Sequence, residues 1–280
     1  MKKYLKRLIE KREKGSSGSF IYFMALVAIF LSVLILCFVQ FNANVYVVKS
    51  DLENGLHIVE NAVMTSNQRY EQSGLYLDNY ERELSRMHII TSNDYVGQCE
   101  YIGNIFSNTL KEHFSLNDNA EPTTGILYHM MKPWRGTVDP NTGHQSYKTA
   151  KILIQNPVII YEPNYEIIKE RIETGDPERP FKFQETYIIK GWSKYSLYFN
   201  EENNNYEYVV KEDLVQGITP VLKNGNKCEG STIEATITVP FYGVNKLFAK
   251  SSSATYHQYY VSVTQSTDIV LSSLDSRNSQ

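Results

Sequence analysis

The sequence predicts an α+β protein, with a long membrane-spanning N-terminal helix, an amphipathic extension of that helix, and a mixed domain holding a few helices and an antiparallel β-sheet. Three observations predict this class: an uncharged apolar run, an apolar stripe with helical spacing directly after it, and alternating, aromatic-rich segments in the second half of the chain. With 42% hydrophobic and 21% charged residues, the 280-residue chain has the composition of a folded protein rather than a disordered one.

Charge is distributed unevenly along the chain. Seven basic and two acidic residues precede Gly15, although the whole chain has a net charge of −3, so the part after the leader is net acidic. Because an acidic domain has no basic patch to neutralise phosphates, we exclude nucleic acid as a partner. The basic leader is better explained by a membrane.

The apolar run Phe20–Val39 has twenty residues, interrupted only by the polar Ser32. At about 1.5 Å per residue, a helix of this length matches the roughly 30 Å hydrocarbon core of a bilayer. The basic cluster before the run predicts a cytoplasmic N-terminus and an extracellular C-terminal part of a single-pass cell-membrane protein. A cleavable secretory signal is the weaker alternative, because such signals have shorter apolar regions and an A-x-A-like site.

An apolar stripe continues beyond the run at steps of three and four residues, which keep one face of a helix apolar. Its members are Phe41, Val45, Val48, Leu52, Leu56, Val59 and Val63. The polar residues that we assign to the opposite face are Lys49, Asp51, Glu53, Glu60 and Asn61. We therefore predict one continuous helix from about Phe20 to about Arg69. The stripe packs either on the outer domain of the same chain or on other subunits.

These features divide the chain into four parts. We expect a cytoplasmic leader (1–18), a transmembrane helix (19–40), an amphipathic continuation (41–72) and an extracytoplasmic α+β domain (73–280).

The basic leader, the Gly/Ser junction, the uncharged membrane helix and its amphipathic continuation resemble type IV pilin-like proteins. The resemblance is closest to TadE-like minor pilins and pseudopilins of Tad-type pilus systems in Gram-positive bacteria, and it covers about the first 70 residues. It implies that a prepilin peptidase cuts after Gly15 or Gly18. It also implies that the helix, through the stripe, contacts other pilin-like subunits and the pilus assembly platform.

One position departs from the pilin pattern. Many pilins carry a Glu five residues past the cut, where this chain has Phe20 or Phe23. Since that Glu pairs neighbouring subunits, its absence favours a rare or tip-located subunit over a major one.

The outer part combines helical and strand patterns. Helical spacing occurs at Leu77, Tyr80, Leu84 and Met87, and again at Tyr95, Cys99, Ile102, Phe106 and Leu110, with an N-cap within Thr91–Asp94. The predicted strands are Ile126–Met131, Ala150–Tyr161, Thr186–Trp192, Tyr195–Phe199, Tyr206–Val210, Thr232–Val239 and Tyr256–Val263. Residues Glu166–Ile172 fit either a short helix or an extension of the neighbouring strand.

The three cysteines predict at most one disulfide. Cys37 lies in the membrane run and is a small apolar residue there. Cys99 and Cys228 lie outside, where an oxidising compartment allows a bridge between them. The alternative is two unpaired buried thiols.

The sequence predicts no catalytic, cofactor-binding or metal-ligating residues, and we expect a protein that is not an enzyme. His129 and His144 flank a turn-rich loop, but they have no partners at metal-ligand spacing. Two functions compete: a pilin-like structural subunit of an envelope filament, and a single-pass anchor for an extracellular binding or sensing domain.

Overall fold

The computed structural model describes residues 2–71, 88–91, 94–132, 136–146, 149–173, 181–241 and 259–269. It confirms the α+β class, with a long N-terminal apolar helix, further helices and an antiparallel sheet. The described helices are α1 (Lys2–Glu71), α2 (Tyr95–His113) and α3 (Gly125–Met131). The described strands are β1 (Thr137–Val138), β2 (Gln145–Ser146), β3 (Leu153–Ile154), β4 (Val158–Glu173), β5 (Phe181–Phe199), β6 (Tyr206–Asp213), β7 (Ser231–Phe241) and β8 (Tyr259–Ile269).

Helix α1 runs for 70 residues without a break, which confirms the predicted continuity across the end of the apolar run. Helix α2 begins where the sequence predicts, because the Asp94 side chain accepts a hydrogen bond from the Gly97 N–H at 3.1 Å. The predicted apolar positions Cys99, Ile102 and Phe106 of this helix are buried. The earlier helical set, Leu77 to Met87, lies outside the described residues.

Strand β7 is the centre of the main sheet. It pairs with β8 along one edge and with β3 and then β4 along the other, and β5 and β6 complete the sheet beyond β4. All of these pairings are antiparallel. The predicted alternation Ile233, Ala235, Ile237 and Val239 lies in the core, but Thr232 and Glu234 between them are buried as well, because both faces of this central strand are covered.

The core lies between the helices and one face of the sheet. Its members include five residues of the α1 stripe, four of α2, and the odd-numbered positions of β7 from Ile233 to Phe241. A smaller cluster of Tyr161, Trp192, Leu222 and Cys228 is separate from it. The outer half of α1, Phe41–Thr65, is therefore one wall of the main core.

Strands β4 and β5 extend beyond the sheet as a two-stranded ribbon. β4 pairs with β7 only at Ile159–Tyr161, whereas its pairing with β5 continues to Glu173, opposite Phe181. Residues Glu166–Ile172 are thus strand, which decides the choice that the sequence left open.

The ribbon extends away from the apolar N-terminal segment of α1. Phe41 stacks on Phe241 at one end of β7, while Glu60, further along α1, meets Thr267 near the other end. β4 leaves β7 at this second end and continues outward as the ribbon.

Several strand boundaries differ from the prediction. Residues 126–131 form helix α3 rather than a strand, because the four-residue spacing of Leu127 and Met131 puts both on one buried helical face. The two strands predicted within 186–199 are one continuous strand, β5. The strand predicted over 150–161 is divided by residues 155–157, where Pro157 has no N–H for the ladder.

Candidate functional site

The segment Phe20–Val39 of α1 presents apolar side chains to its surroundings on all sides. Tyr22 is 79% exposed and Leu34, one of the less exposed large side chains, is still 44% exposed. Among the described residues, the helix containing this segment is the one long and apolar enough to cross a membrane. A bare apolar cylinder of this length needs lipid or other apolar helices around it.

Gly15 and Gly18 both lie within helix α1, and the helical backbone continues through them without a break. A cut after either residue would separate the basic leader from the apolar segment. Processing at these positions stays a prediction.

The apolar stripe of α1 packs against the domain of the same chain. Val48, Leu52, Leu56, Val59 and Val63 are fully buried in the core formed with α2 and the sheet, and Phe41 and Val45 pack partly against it. The ring of Phe41 stacks on Phe241 with centroids 5.9 Å apart. Of the two alternatives for the stripe, the structure shows contact with the chain's own domain, so the five buried side chains are not accessible to another subunit.

Other apolar residues of the outer half face away from the domain. Tyr46 is 76% exposed, Val47 41% and Ile58 46%. Tyr46 and Val47 extend the exposed apolar surface of the Phe20–Val39 segment by about two turns.

Gly55 marks where α2 reaches α1. A Cβ on Gly55 would lie 2.7 Å from Cδ2 of His113 and would overlap the Phe114 ring at the end of α2. Glycine destabilises a helix by roughly 1 kcal/mol relative to alanine. A glycine is nevertheless required at position 55, because the Phe114 ring leaves no space for a Cβ. The signal in the sequence is a glycine within an otherwise regular amphipathic helix.

A buried carboxylate, Glu162 of β4, joins three separate segments. Its Oε1 accepts hydrogen bonds from the backbone N–H groups of Ile89 and Ile90 at 2.7 and 2.8 Å. Its Oε2 accepts one from Ser231 of β7 and lies 2.8 Å from Nδ1 of His88. Four donors around one carboxylate offset the cost of burying its charge, so Glu162 attaches residues 88–90 to the base of the ribbon.

Glu60 is a second buried carboxyl group. From the sequence we assigned it to the polar face of α1, and that assignment is wrong. Glu60 is completely buried, because it follows Leu56 by four residues and precedes Val63 by three, which puts it on the side of α1 that faces the sheet. Thr267 of β8 donates a hydrogen bond to Oε2 at 2.5 Å. Burial raises the pKa of Glu60 from 4.5 to about 8.

The disulfide that the sequence allowed between Cys99 and Cys228 does not form in the structure. Cys99 and Cys228 are both free and buried, and they belong to different clusters, the main core and the smaller cluster that contains Trp192. Burial raises the pKa of the Cys99 thiol to about 12 and that of Cys228 to about 11, so both thiols stay protonated and unreactive near neutral pH. This is the second alternative that the sequence allowed.

Within the described ranges, no three His, Cys, Asp or Glu side chains come together in a way that would hold a metal ion. The arrangement is that of a helix that both supports a folded domain and projects an apolar segment from it. No family model, no curated protein and no solved structure matches this chain.

Proposed function

We propose that the chain is a pilin-like subunit, of the minor pilin or pseudopilin kind, in a cell-envelope filament or its assembly machinery. Its leader is cytoplasmic, the segment Phe20–Val39 lies in the membrane or among the helices of other subunits, and its domain is extracellular. The observation that carries the proposal is the unbroken helix α1, which is exposed and apolar over Phe20–Val39 and forms a wall of the domain core over Val48–Val63.

Continuity of the helix has a mechanical consequence. A domain that only needs an anchor can be joined to its span by a flexible linker. Here the span and the domain share one helix, and Val48, Leu52 and Leu56 fix that helix in the core, so the orientation of the span sets the orientation of the domain. Such rigid coupling suits a subunit that is placed among others by its helix.

The surface for assembly in this proposal is the exposed apolar cylinder rather than the buried stripe. It comprises Phe20–Val39 and continues to Tyr46 and Val47. The same side chains meet lipid before assembly and other helices after it, since both environments are apolar.

A single-pass anchor for an extracellular binding or sensing domain is the second candidate. It is favoured by the burial of the stripe, because Val48, Leu52 and Leu56 are already satisfied within one chain and need no partner. The two candidates differ in the fate of the leader.

Intact-mass measurement and N-terminal sequencing of the protein extracted from its native membrane test the proposal. A chain that begins at Ser16 or Ser19 supports prepilin-type processing by a prepilin peptidase. A chain that keeps residues 1–14 favours the plain anchor. A cut beyond Gln40 overturns both, because it would release a secreted protein.

Two single variants control each other in this experiment. Gly15→Trp and Gly18→Trp add the same bulk three residues apart in the same helix. If the peptidase cuts after Gly15, only the first variant leaves an unprocessed chain, and if it cuts after Gly18, only the second does. Normal processing of both variants would show that neither glycine is required for recognition by the peptidase.

A further inference from the structure

Glu60 differs from the other buried carboxylate in what surrounds it. Glu162 has a donor at every position that its two oxygens offer, including two backbone N–H groups. Glu60 has one donor, Thr267, and its Oε1 has no hydrogen-bond partner among the described residues although it is fully enclosed. An ionised carboxylate in that position would lack most of the hydrogen bonds that water gives it.

The charged groups near Glu60 do not compensate. On β8, Asp268 follows Thr267, and on β7, Glu234 follows Ile233, the register partner of Thr267. Both are acidic and act on Glu60 by repulsion. The cation Lys223 donates hydrogen bonds to Thr236 and Glu234 of β7. On α2, Tyr101 and Glu112 line the open groove beside Ala62 and Thr65.

The position of Glu60 couples its charge to one contact in particular. Leu56, Val59 and Val63 of the same helical face are fully buried against the sheet and α2. A charge on Glu60 would therefore appear in the middle of the apolar interface between α1 and β8.

We propose that Glu60 makes the docking of α1 on the sheet depend on protonation: the outer half of the helix, Phe41–Thr65, docks firmly while Glu60 is a neutral acid and loosens when it ionises. This inference is independent of the pilin proposal, since it concerns the fold of one chain.

The direction of the pH dependence follows from proton linkage. Because burial, the largest cause, raises the pKa of Glu60 from 4.5 to about 8, the folded chain holds a proton that the unfolded chain releases between these values. The stabilisation is fully present below about pH 4.5 and is lost as the pH rises through about 8.

Hydrogen–deuterium exchange of the full chain in detergent micelles tests the proposal. After correction for the intrinsic rate, we expect the protection of amides 48–63 to fall on the order of tenfold or more between about pH 6 and about pH 9. Protection in the Phe20–Val39 segment should not change. If the protection of amides 48–63 in the wild-type protein does not change across this range, that result by itself overturns the proposal.

Two variants sharpen the result. Glu60→Gln keeps the size of the side chain but cannot ionise, so its protection should be independent of pH over the same range. Glu53→Gln, on the same helix but only partly buried and paired with Lys49, should retain the wild-type pH dependence. If Glu60→Gln shows the same fall as the wild type, another group is responsible and the proposal fails.

Discussion

Glu60 and Glu162 show how the same side chain takes two different roles once it is buried. Glu162 is held by four hydrogen-bonding groups from two other segments of the chain, residues 88–90 and β7. Glu60 has a single donor, Thr267, and burial raises its pKa to about 8. The identity of the residue in the sequence does not distinguish these cases; the donors around it do.

We expect Glu162→Gln to destabilise the domain by about 2 kcal/mol or more, because an amide offers one acceptor oxygen in place of two and puts an N–H₂ where Oε2 now accepts from Ser231. Urea denaturation followed by tryptophan fluorescence measures the change. Glu166→Gln, an exposed position on the same strand paired with Lys190, should change stability by less than about 0.5 kcal/mol. Equal effects of the two variants would show that the four contacts of Glu162 contribute no more than a surface pair.

Helix α1 is one element with two different surfaces beyond the apolar run Phe20–Val39. The side that carries Leu52 is enclosed by the domain, and the side that carries Tyr46 is open. The stripe and the assembly surface are therefore different residues, which allows folding and assembly to be tested separately.

Leu52→Asp should unfold or severely destabilise the outer domain, since it places a charge in the core and removes a buried side chain, at a cost of about 4 kcal/mol or more. Tyr46→Asp should leave the domain folded, because Tyr46 is 76% exposed. If the chain is pilin-like, Tyr46→Asp should still reduce cross-linking between copies. Circular dichroism and cross-linking yield separate the two effects, and a folded, normally assembling Leu52→Asp variant would contradict the assignment of the stripe to the core.

The ribbon formed by β4 and β5 contributes little to the sheet. From Tyr165–Ile189 to Glu173–Phe181, the described strand pairs join only these two strands. A two-stranded hairpin is at best marginally stable in water, so the ribbon depends on the sheet from which it extends rather than supporting it.

Replacing Ile168–Thr186 by Asn-Gly should therefore leave the domain folded, with a change in stability within about 1 kcal/mol. The Ile167–Tyr187 pair would close a short turn, for which Asn-Gly is well suited. Thermal unfolding measures the outcome. The matched change is deletion of β6, whose Tyr206 packs on Gly103 of α2, and it should destabilise the domain clearly more. Loss of cooperative unfolding on shortening the ribbon would mean that it is part of the core.

At the scale of the whole molecule, the folded domain includes part of the helix that carries the apolar segment. Val48, Leu52, Leu56, Val59 and Val63 contribute five fully buried side chains to its core. At about 1.5–3 kcal/mol for each buried side chain of this size, their sum is comparable to the total stability of about 5–15 kcal/mol of a typical domain.

A chain that begins at Phe41 should accordingly fold and remain monomeric without detergent, whereas one that begins at Thr65 should not fold. Size-exclusion chromatography and near-ultraviolet circular dichroism distinguish these outcomes. Folding of the shorter chain would show that the domain is complete without α1.

Much of the local structure was predictable from the sequence. The apolar run Phe20–Val39 and the helical spacing from Phe41 to Val63 predicted α1 from Phe20 onward, although the helix begins at Lys2. The Asp94 cap and the spacing of Cys99 and Ile102 predicted α2, and alternation at Ile233–Val239 predicted β7. Residues 126–131 were mistaken for a strand, because a short apolar run fits both helix and strand until its neighbours are known.

By itself the sequence determined that the chain has an apolar segment long enough for a membrane, a helix that continues beyond it with one apolar face, and an antiparallel sheet. These properties follow from periodicity and length, which act between residues close in the chain. Only the tertiary structure decided that the domain covers the stripe, that Cys99 and Cys228 lie apart, and that Glu60 and Glu162 are buried. Those facts depend on contacts between distant residues, such as Glu60 with Thr267, 207 positions later, and periodicity shows that a face is apolar without showing what covers it.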